Sequence, residues 1–427
     1  MHRRSAHDGA AGENFAALVG WFSRQEGGLF DKAVTGRARA RRPAGRSRDE
    51  GGTLVVRLAL WLAVGLVMSG LSAAEARYAH RLFYETPRTQ GMGGAVVAVA
   101  DDHQALFANP AGLCQVNDKG YAVVNAHGEM NQDFRRVKNR TDGLSDADTP
   151  ESRAANNAKL SDVMGQQARL VAGNLAYYLG GRDGHGFAGA FLYQAVTEIG
   201  VIRPTSPRLQ VRGDIDSVLL GSVARPITGG KRNLFNDIAH GWWGATMKFL
   251  SRRSLDREYD ARDFAQLSES DLRAEQRKGA TADFDAGTFW RLKNDWDTTL
   301  GLSVSNLLES EVDPSIGRLR REWAVGATIK PLSGPPERKR KLLLAADLWD
   351  IAGTDGTFFS RLRLGAEALV VPWLKVRTGV RGGYPTAGFT AEFREARLDF
   401  ATYSEELGPR PGDREDRRYS LSFGFEF

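Results

Sequence analysis

Seven histidines, a few closely spaced carboxylates, one cysteine and a row of basic residues are what this 427-residue chain could use for chemistry. His80, His103, His127, His185 and His240 show no metal-ligand spacing. Cys114 alone builds neither a disulfide framework nor a cysteine-rich zinc site. No G-x-S-x-G nucleophile elbow occurs. Asp283 with Asp285, or Asp347 with Asp350, could form acid/base pairs, but their setting reads as interior or rim charges. No enzyme, metal or cofactor is expected. Arg361, Arg363, Lys375, Arg377 and Arg381, opposed by Glu367, fit either a charge-balanced interior wall or a basic constriction selecting anionic solutes.

The elements that carry these residues alternate with a period of two. Tyr419, Leu421, Phe423, Phe425 and Phe427 share one face of the last segment, and Ser420, Ser422, Gly424 and Glu426 share the other. That is a half-buried strand. Leu362, Leu364, Ala366, Ala368 and Val370 oppose Arg361, Arg363, Gly365 and Glu367, and after Val371-Pro372-Trp373 the alternation resumes from Leu374. Fourteen strands are expected to start near Gly120, Ala168, His185, Asp214, Trp242, Thr281, Asp297, Glu322, Lys341, Ser360, Trp373, Ala387, Arg397 and Arg418, at roughly ten residues each. Two polar inserts, Asn131 to Gln167 and Arg252 to Gly279, interrupt the series, the second with a helix near ESDLRAEQRK capped by Ser268 or Ser270.

Alternation alone fits a soluble sandwich as well as a transmembrane barrel, whose apolar face meets lipid and whose polar face lines a lumen. Export tips the balance. Arg57 precedes the apolar run LALWLAVGLVM, Leu58 to Met68, and Ala74-Glu75-Ala76 offers small-x-small cleavage. This is the layout of a secretory signal peptide over residues 53–76. Residues 1–52, with their basic run Arg37 to Arg48, are expected to be a non-native or disordered extension, with translation starting near Leu54 to Val56.

Removing residues 1–76 takes away eleven Lys or Arg and seven Asp or Glu, so 47 basic and 45 acidic residues remain. The overall charge of +6 and pI near 9.4 then no longer argue for nucleic acid. Forty aromatics exclude a disordered chain, and a mean hydropathy of -0.37 excludes only a helical membrane protein. Trp242, Trp290, Trp296, Trp323 and Trp373 near strand ends suit aromatic girdles.

One block is specific. RTQGMGGAVVAVADDHQALFANPAGL, Arg88 to Leu113, opens with Gly91, Met92, Gly93 and Gly94, where the backbone bends or comes close to something. AVVAVA reads as a short apolar strand, Asp101-Asp102 starts a helix and Asn109-Pro110 breaks it. The spacing lacks the third glycine of a dinucleotide fingerprint. The block R-x-x-G-M-G-G-A-x-V-A followed by D-D-x-x-A-L-F-x-N-P-A-G-L resembles the N-terminal segment of the FadL-type long-chain fatty-acid transporter superfamily, with its PorV-like and conjugation-associated TraF-like barrels. DTTLGLSVSNLLE, REWAVGATIKP and the C-terminal hairpins resemble the same group, over about two-thirds of the mature chain.

The resemblance implies an all-β fold, an antiparallel outer-membrane barrel of about fourteen strands (119–427) around a small N-terminal plug (77–118). It places Gly91 to Gly112 in the lumen, including Asp101, Asp102, Asn109, Pro110, Ala111 and Gly112. It also implies a terminal Phe427 signal read by barrel-assembly machinery, contact with outer-membrane lipid, and no nucleic-acid partner. The function implied is passage of a hydrophobic or amphipathic small molecule, or docking to a secretion or conjugation partner. The polar inserts lack the apolar helical hairpin of a fatty-acid collecting groove, and no ligand residue carries over. N-terminal sequencing of the protein recovered from outer membranes is expected to read from Arg77; a sequence starting upstream of Ala76 would refute the cleavage site.

Overall fold

The computed structural model describes residues 84–116, 120–227, 239–331, 342–352, 358–408 and 412–427. The expected extension and leader, residues 1–76, lie outside the described residues. Sixteen strands follow in chain order: β1 Tyr121–Asn131, β2 Gln167–Arg182, β3 His185–Ile202, β4 Arg208–Pro226, β5 Ala239–Tyr259, β6 Arg277–Leu292, β7 Thr299–Ser305, β8 Glu311–Asp313, β9 Gly317–Arg318, β10 Glu322–Ile329, β11 Leu342–Trp349, β12 Leu362–Val371, β13 Leu374–Arg381, β14 Tyr384–Phe393, β15 Ala396–Glu406 and β16 Glu415–Glu426. Among them β8 and β9 form a separate hairpin, and the other fourteen close into an antiparallel barrel through β1 and β16. All fourteen expected strands are present, with starts displaced by at most six residues, at β4.

The barrel is inside out. Along β3, β4 and β5, one row of facing residues joins Phe191, Leu219 and Phe249, which are 42%, 55% and 47% exposed. The opposite face buries Asp216, Ser222, Thr246, Lys248 and Arg252. Elsewhere Leu302, Leu344, Leu364, Val376, Val380 and Phe389 point outward, while Ser303, Asp347, Arg363, Arg377 and Thr390 are buried inside. Only a solvent of lipid rewards that arrangement, since exposed apolar area of this extent costs free energy in water. The chain is a transmembrane barrel. No helix among the described residues is long and apolar enough to cross a membrane; the strands cross it.

Strand length departs from the expected ten. β2 to β6 run 16 to 21 residues, whereas β7, β10 and β11 run 7 or 8. At about 3.3 Å per residue and a tilt of about 40°, eight residues rise about 20 Å and twenty-one about 53 Å. One side of the wall thus stands far above the other.

The same outward row explains what covers the extra height. Above Phe191, Leu219 and Phe249 it continues through Thr197, Gly213 and Leu255 to Val201, Leu209 and Tyr259. These upper residues are buried, and Val201, Leu209, Leu255 and Tyr259 pack with Val137, Leu144, Leu160, Phe264 and Leu272. The latter belong to the two polar inserts: helices α2 Phe134–Thr141, α3 Pro150–Ser161, α4 Ala261–Ala265 and α5 Glu269–Ala274, with the turn after α2. (A five-residue helix, α1 Pro87–Gly91, precedes them in the chain.) The inserts form a collar on the outer wall at the end opposite the C-terminus. The second is shorter than expected, because Arg252–Tyr259 and Arg277–Gly279 are strand. Ser268 caps α5 through a capping box with Asp271, and the helix stops at Ala274 instead of running through EQRK.

Of the expected girdle, Trp290 faces outward and Trp296, Trp323 and Trp373 are exposed. Trp242 is a correction. It shares the inward face of β5 with Gly244 and Thr246 and meets Phe289 edge-on inside the barrel.

A charge on the exposed, lipid-facing part of the outward row should destabilise the barrel more than a charge in an exposed turn at the rim. Leu219→Arg is expected to cost about 2–4 kcal/mol in urea titrations of the lipid-reconstituted protein. Thr205→Arg, in the exposed turn between β3 and β4, should cost less than half as much; equal costs would refute the lipid-facing row.

Candidate functional site: a plug fixed inside the lumen

Residues 84–116 lie inside the barrel and have little regular structure: α1 and the 3-10 turns His103–Leu106 and Pro110–Gln115. Thr86, Asp102 and Asn109 cap the three turns with their side chains. AVVAVA is not a strand. Within this stretch the Val99 and Ala100 amides bond back to the Val96 carbonyl, making a turn. The Val96 and Val97 amides are instead taken by one carboxylate oxygen of Asp347 on β11, at 2.6 and 2.7 Å. A backbone with no neighbouring strand edge must find side-chain partners, because a buried unpaired amide is costly.

Other wall residues complete the count. Asn109 donates from Nδ2 to the Val97 carbonyl (2.9 Å) and the Thr288 carbonyl (3.1 Å), and its Oδ1 accepts from Ala111 N. Thr299 donates to the Ala98 carbonyl and Thr386 to the Gly91 carbonyl. Asp347, singled out in sequence only as half of an acid/base pair, is thus a plug clamp. Asp283 likewise accepts from the amides of Phe284, Leu308 and Ser310, and Asp285 pairs with Lys248 and accepts from Asn306 N. Both hold the turn that follows β7.

The plug fits because the wall omits side chains where it passes. A Cβ at Gly244, Gly287, Gly301, Gly326, Gly365 or Gly379 would come within 3 Å of Pro110, Asn109, Val97 or the Met92–Gly93 backbone, or of Asp347 beside them. Gly93 and Gly94 hold φ of +65° and +84°, the left-handed region, as they round the wall at Leu364, Val380 and Arg363. Gly91 rests on Gly388. Gly112 serves the plug's own fold, its Cα facing the Ala100 carbonyl.

The two sides of this contact differ in chemistry. Towards β2–β5 it is apolar: Leu106, Phe107 and Leu113 pack with Leu175, Leu179, Leu192, Val218 and Leu220. The lumen face there is not the polar one that simple alternation predicts, and β4 carries apolar residues on both faces at Val218, Leu219 and Leu220. Towards β12–β16 it is ionic. Arg88 forms two 2.9 Å bonds to Glu367 and also reaches Asp101 (2.5 Å) and Asp102 (3.0 Å). Arg377 joins Glu367 at 2.6 Å. Arg381 bonds Glu85 and Glu405, each at 2.5 Å, and Arg363 meets Glu85 at 3.5 Å while lying over Trp349. Lys375 pairs with Glu392 near the other rim.

The basic row is therefore matched by carboxylates, which favours the charge-balanced wall over a basic constriction. Arg361 departs from the row: it ends the short helix Phe358–Arg361 at the rim, ahead of β12. Asp101 is the one exposed member of the expected plug set; Gly91, Met92, Gly93, Gly94, Asp102, Asn109, Pro110, Ala111 and Gly112 are buried. Sequence reasoning missed Glu85, Gln90, Glu129, Tyr403 and Ser420. Gln90 reaches Glu129 and Tyr403 and accepts from Ser420. Single polar residues on separate strands carry no spacing signal that would have joined them. Tyr419, Leu421, Phe423 and Phe425 face outward on β16, and Phe427 is exposed at its end.

Fold and contents together define a plugged transmembrane β-barrel. No protein-family model and no curated protein matches the chain. Among solved structures it is similar to the toluene transporter TbuX of Ralstonia pickettii, with 10% identity and a TM-score of 0.49 over 81% of this chain and 98% of that one. It is also similar to the toluene transporter TodX of Pseudomonas putida, with 10% identity and a TM-score of 0.38 over 79% and 96%. At these scores the likeness carries no argument about cargo or site.

Removing the clamp should free the plug without opening the barrel. Asp347→Ala leaves two buried amides unpaired and is expected to cost the plug about 2–5 kcal/mol. Hydrogen exchange at Val96 and Val97 should accelerate at least about thirtyfold while β3 and β4 stay protected. Unchanged exchange would refute the clamp.

Proposed function

We propose that this chain is an outer-membrane channel of the FadL type that passes hydrophobic or amphipathic small molecules around its plug. The observation that carries the reading is the two-sided seat of the plug. Its contact with β2–β5 is mainly apolar, Leu106, Phe107 and Leu113 against Leu175, Leu192 and Val218, and its contact with β12–β16 is ionic. A small apolar solute lowers its free energy by exchanging water for such a contact, while the ion pairs keep the plug tethered during passage. Glu85 to Arg381 and Arg88 to Glu367 act as the tether.

In this reading the barrel end holding Phe427 faces the periplasm and the collar faces outward, with Phe427 presented to the assembly machinery. The docking alternative makes the inserts Asn131 to Gln167 and Arg252 to Gly279 partner surfaces. Their apolar side chains are already committed to the barrel's own outer wall, which leaves them little to offer a partner and favours passage.

Proteoliposomes of the full chain should take up a long-chain alcohol or a monoaromatic hydrocarbon faster than protein-free vesicles, and Asp347→Ala should be faster again. Equal rates for empty, wild-type and Asp347→Ala vesicles would overturn passage. Deleting the collar should leave uptake within about twofold if it serves only to brace the tall strands.

A further inference from the structure

Where the plug meets β1 and β2, several rings crowd together. Tyr84 lies 5.4 Å from Phe107 and 4.7 Å from His127, centre to centre, and His103 stacks on Tyr177 at 4.5 Å. Tyr84, His103 and Phe107 belong to the plug, His127 and Tyr177 to the wall. The Tyr84 hydroxyl, both ring nitrogens of His103 and Nδ1 of His127 are buried without a hydrogen-bond partner. Buried polar atoms are nearly always paired, so four such atoms in one small cluster call for a reason.

Neutral rings tolerate this seat and charged rings do not. An imidazolium is two donors and a positive charge, and burying it unpaired is far more costly than burying the neutral ring. Facing His103 are Asp102, Arg88, Arg397, Asp399, Tyr84 and Tyr177. Both carboxylates are already taken, Asp102 by Arg88 and Asp399 by Arg397. His127 faces Tyr84, Gln194, which it meets at 3.3 Å, and Glu129, whose carboxylate is held by Arg169 and Tyr403. Neither ring has a free acceptor waiting for its proton.

We propose that this cluster is an acid-sensitive latch, in which protonation of His103 drives the plug off the wall formed by β1 and β2. The proposal rests on the reading that the plug closes a passage. Burial holds the His103 ring down at about 4, against 6.5 for a free imidazole. A base depressed in the closed state favours closure fully above about pH 6.5, and that preference is lost as the pH falls towards 4. At pH 4.5 the shift towards opening is about 80-fold from His103 alone.

Hydrogen exchange of the full chain in lipid nanodiscs, read at residues 95–108 with exposure times scaled to equal intrinsic exchange, tests this directly. Protection of the wild type is expected to fall at least tenfold between pH 7.5 and 4.5. His103→Phe keeps a ring on Tyr177 and takes no proton; its loss should stay well below that of the wild type. His103→Gln makes the same comparison where the phenylalanine variant fails to fold. No change in the wild type would overturn the latch, and so would an equal loss in both variants, which would assign the effect to carboxylates. Vesicle uptake is scored separately: a plug that loosens in acid while vesicles stay tight refutes the passage and leaves the latch standing.

Discussion

This transmembrane barrel is filled, and what fills it is irregular backbone. That is the constraint on which the rest depends. Strands satisfy their own polar groups around the closed wall, but a non-repeating segment inside it does not. Every exposed amide and carbonyl of the plug therefore becomes a demand on a wall side chain. Asp347 answers for Val96 and Val97, Asn109 and Thr288 bridge plug and wall, and Thr299 and Thr386 answer for Ala98 and Gly91. The inward glycines follow from the same demand, since hydrogen bonds of this length require the backbones to approach closely.

The uneven height of the wall has a separate cause. A strand that leaves the hydrocarbon keeps two faces but exchanges lipid for water on the outer one, so an apolar outer face above the membrane needs cover. β2–β5 keep that apolar face up to Val201, Leu209 and Tyr259, and the collar helices bury it. What reads as a polar insert is a thin layer with a few apolar residues, Val137, Leu160 and Phe264 among them, aimed at the wall. The short side, β7 and β10–β13, has no such extension and needs no such layer.

Much of the fold was legible because barrel strands repeat one simple rule. Alternation marked all fourteen strands, and Ser268 marked a helix start, since both are local. Strand length was not legible: above the membrane Thr197 and Ile199 still alternate, and nothing local says that lipid has ended. AVVAVA misled for a related reason. Its residues favour a strand, but no strand edge is free inside the lumen, and a carboxylate 251 residues away takes the amide of Val96. Trp242 was read as a girdle residue by position, while register turned it inward.

By itself the sequence determined the class: an apolar face on every second residue, a glycine-bearing block ahead of the first strand, and near-neutral charge over residues 77–427. These are short-range properties, fixed by which residues stand two, three or four apart. Only the tertiary structure decided which carboxylate meets which guanidinium, that the basic row from Arg363 to Arg381 is matched, and that His103 and His127 share one unpaired corner. Those facts depend on closure of the barrel and on the register of each strand pair. They bring together residues from opposite ends of the chain, and no spacing within the sequence encodes them.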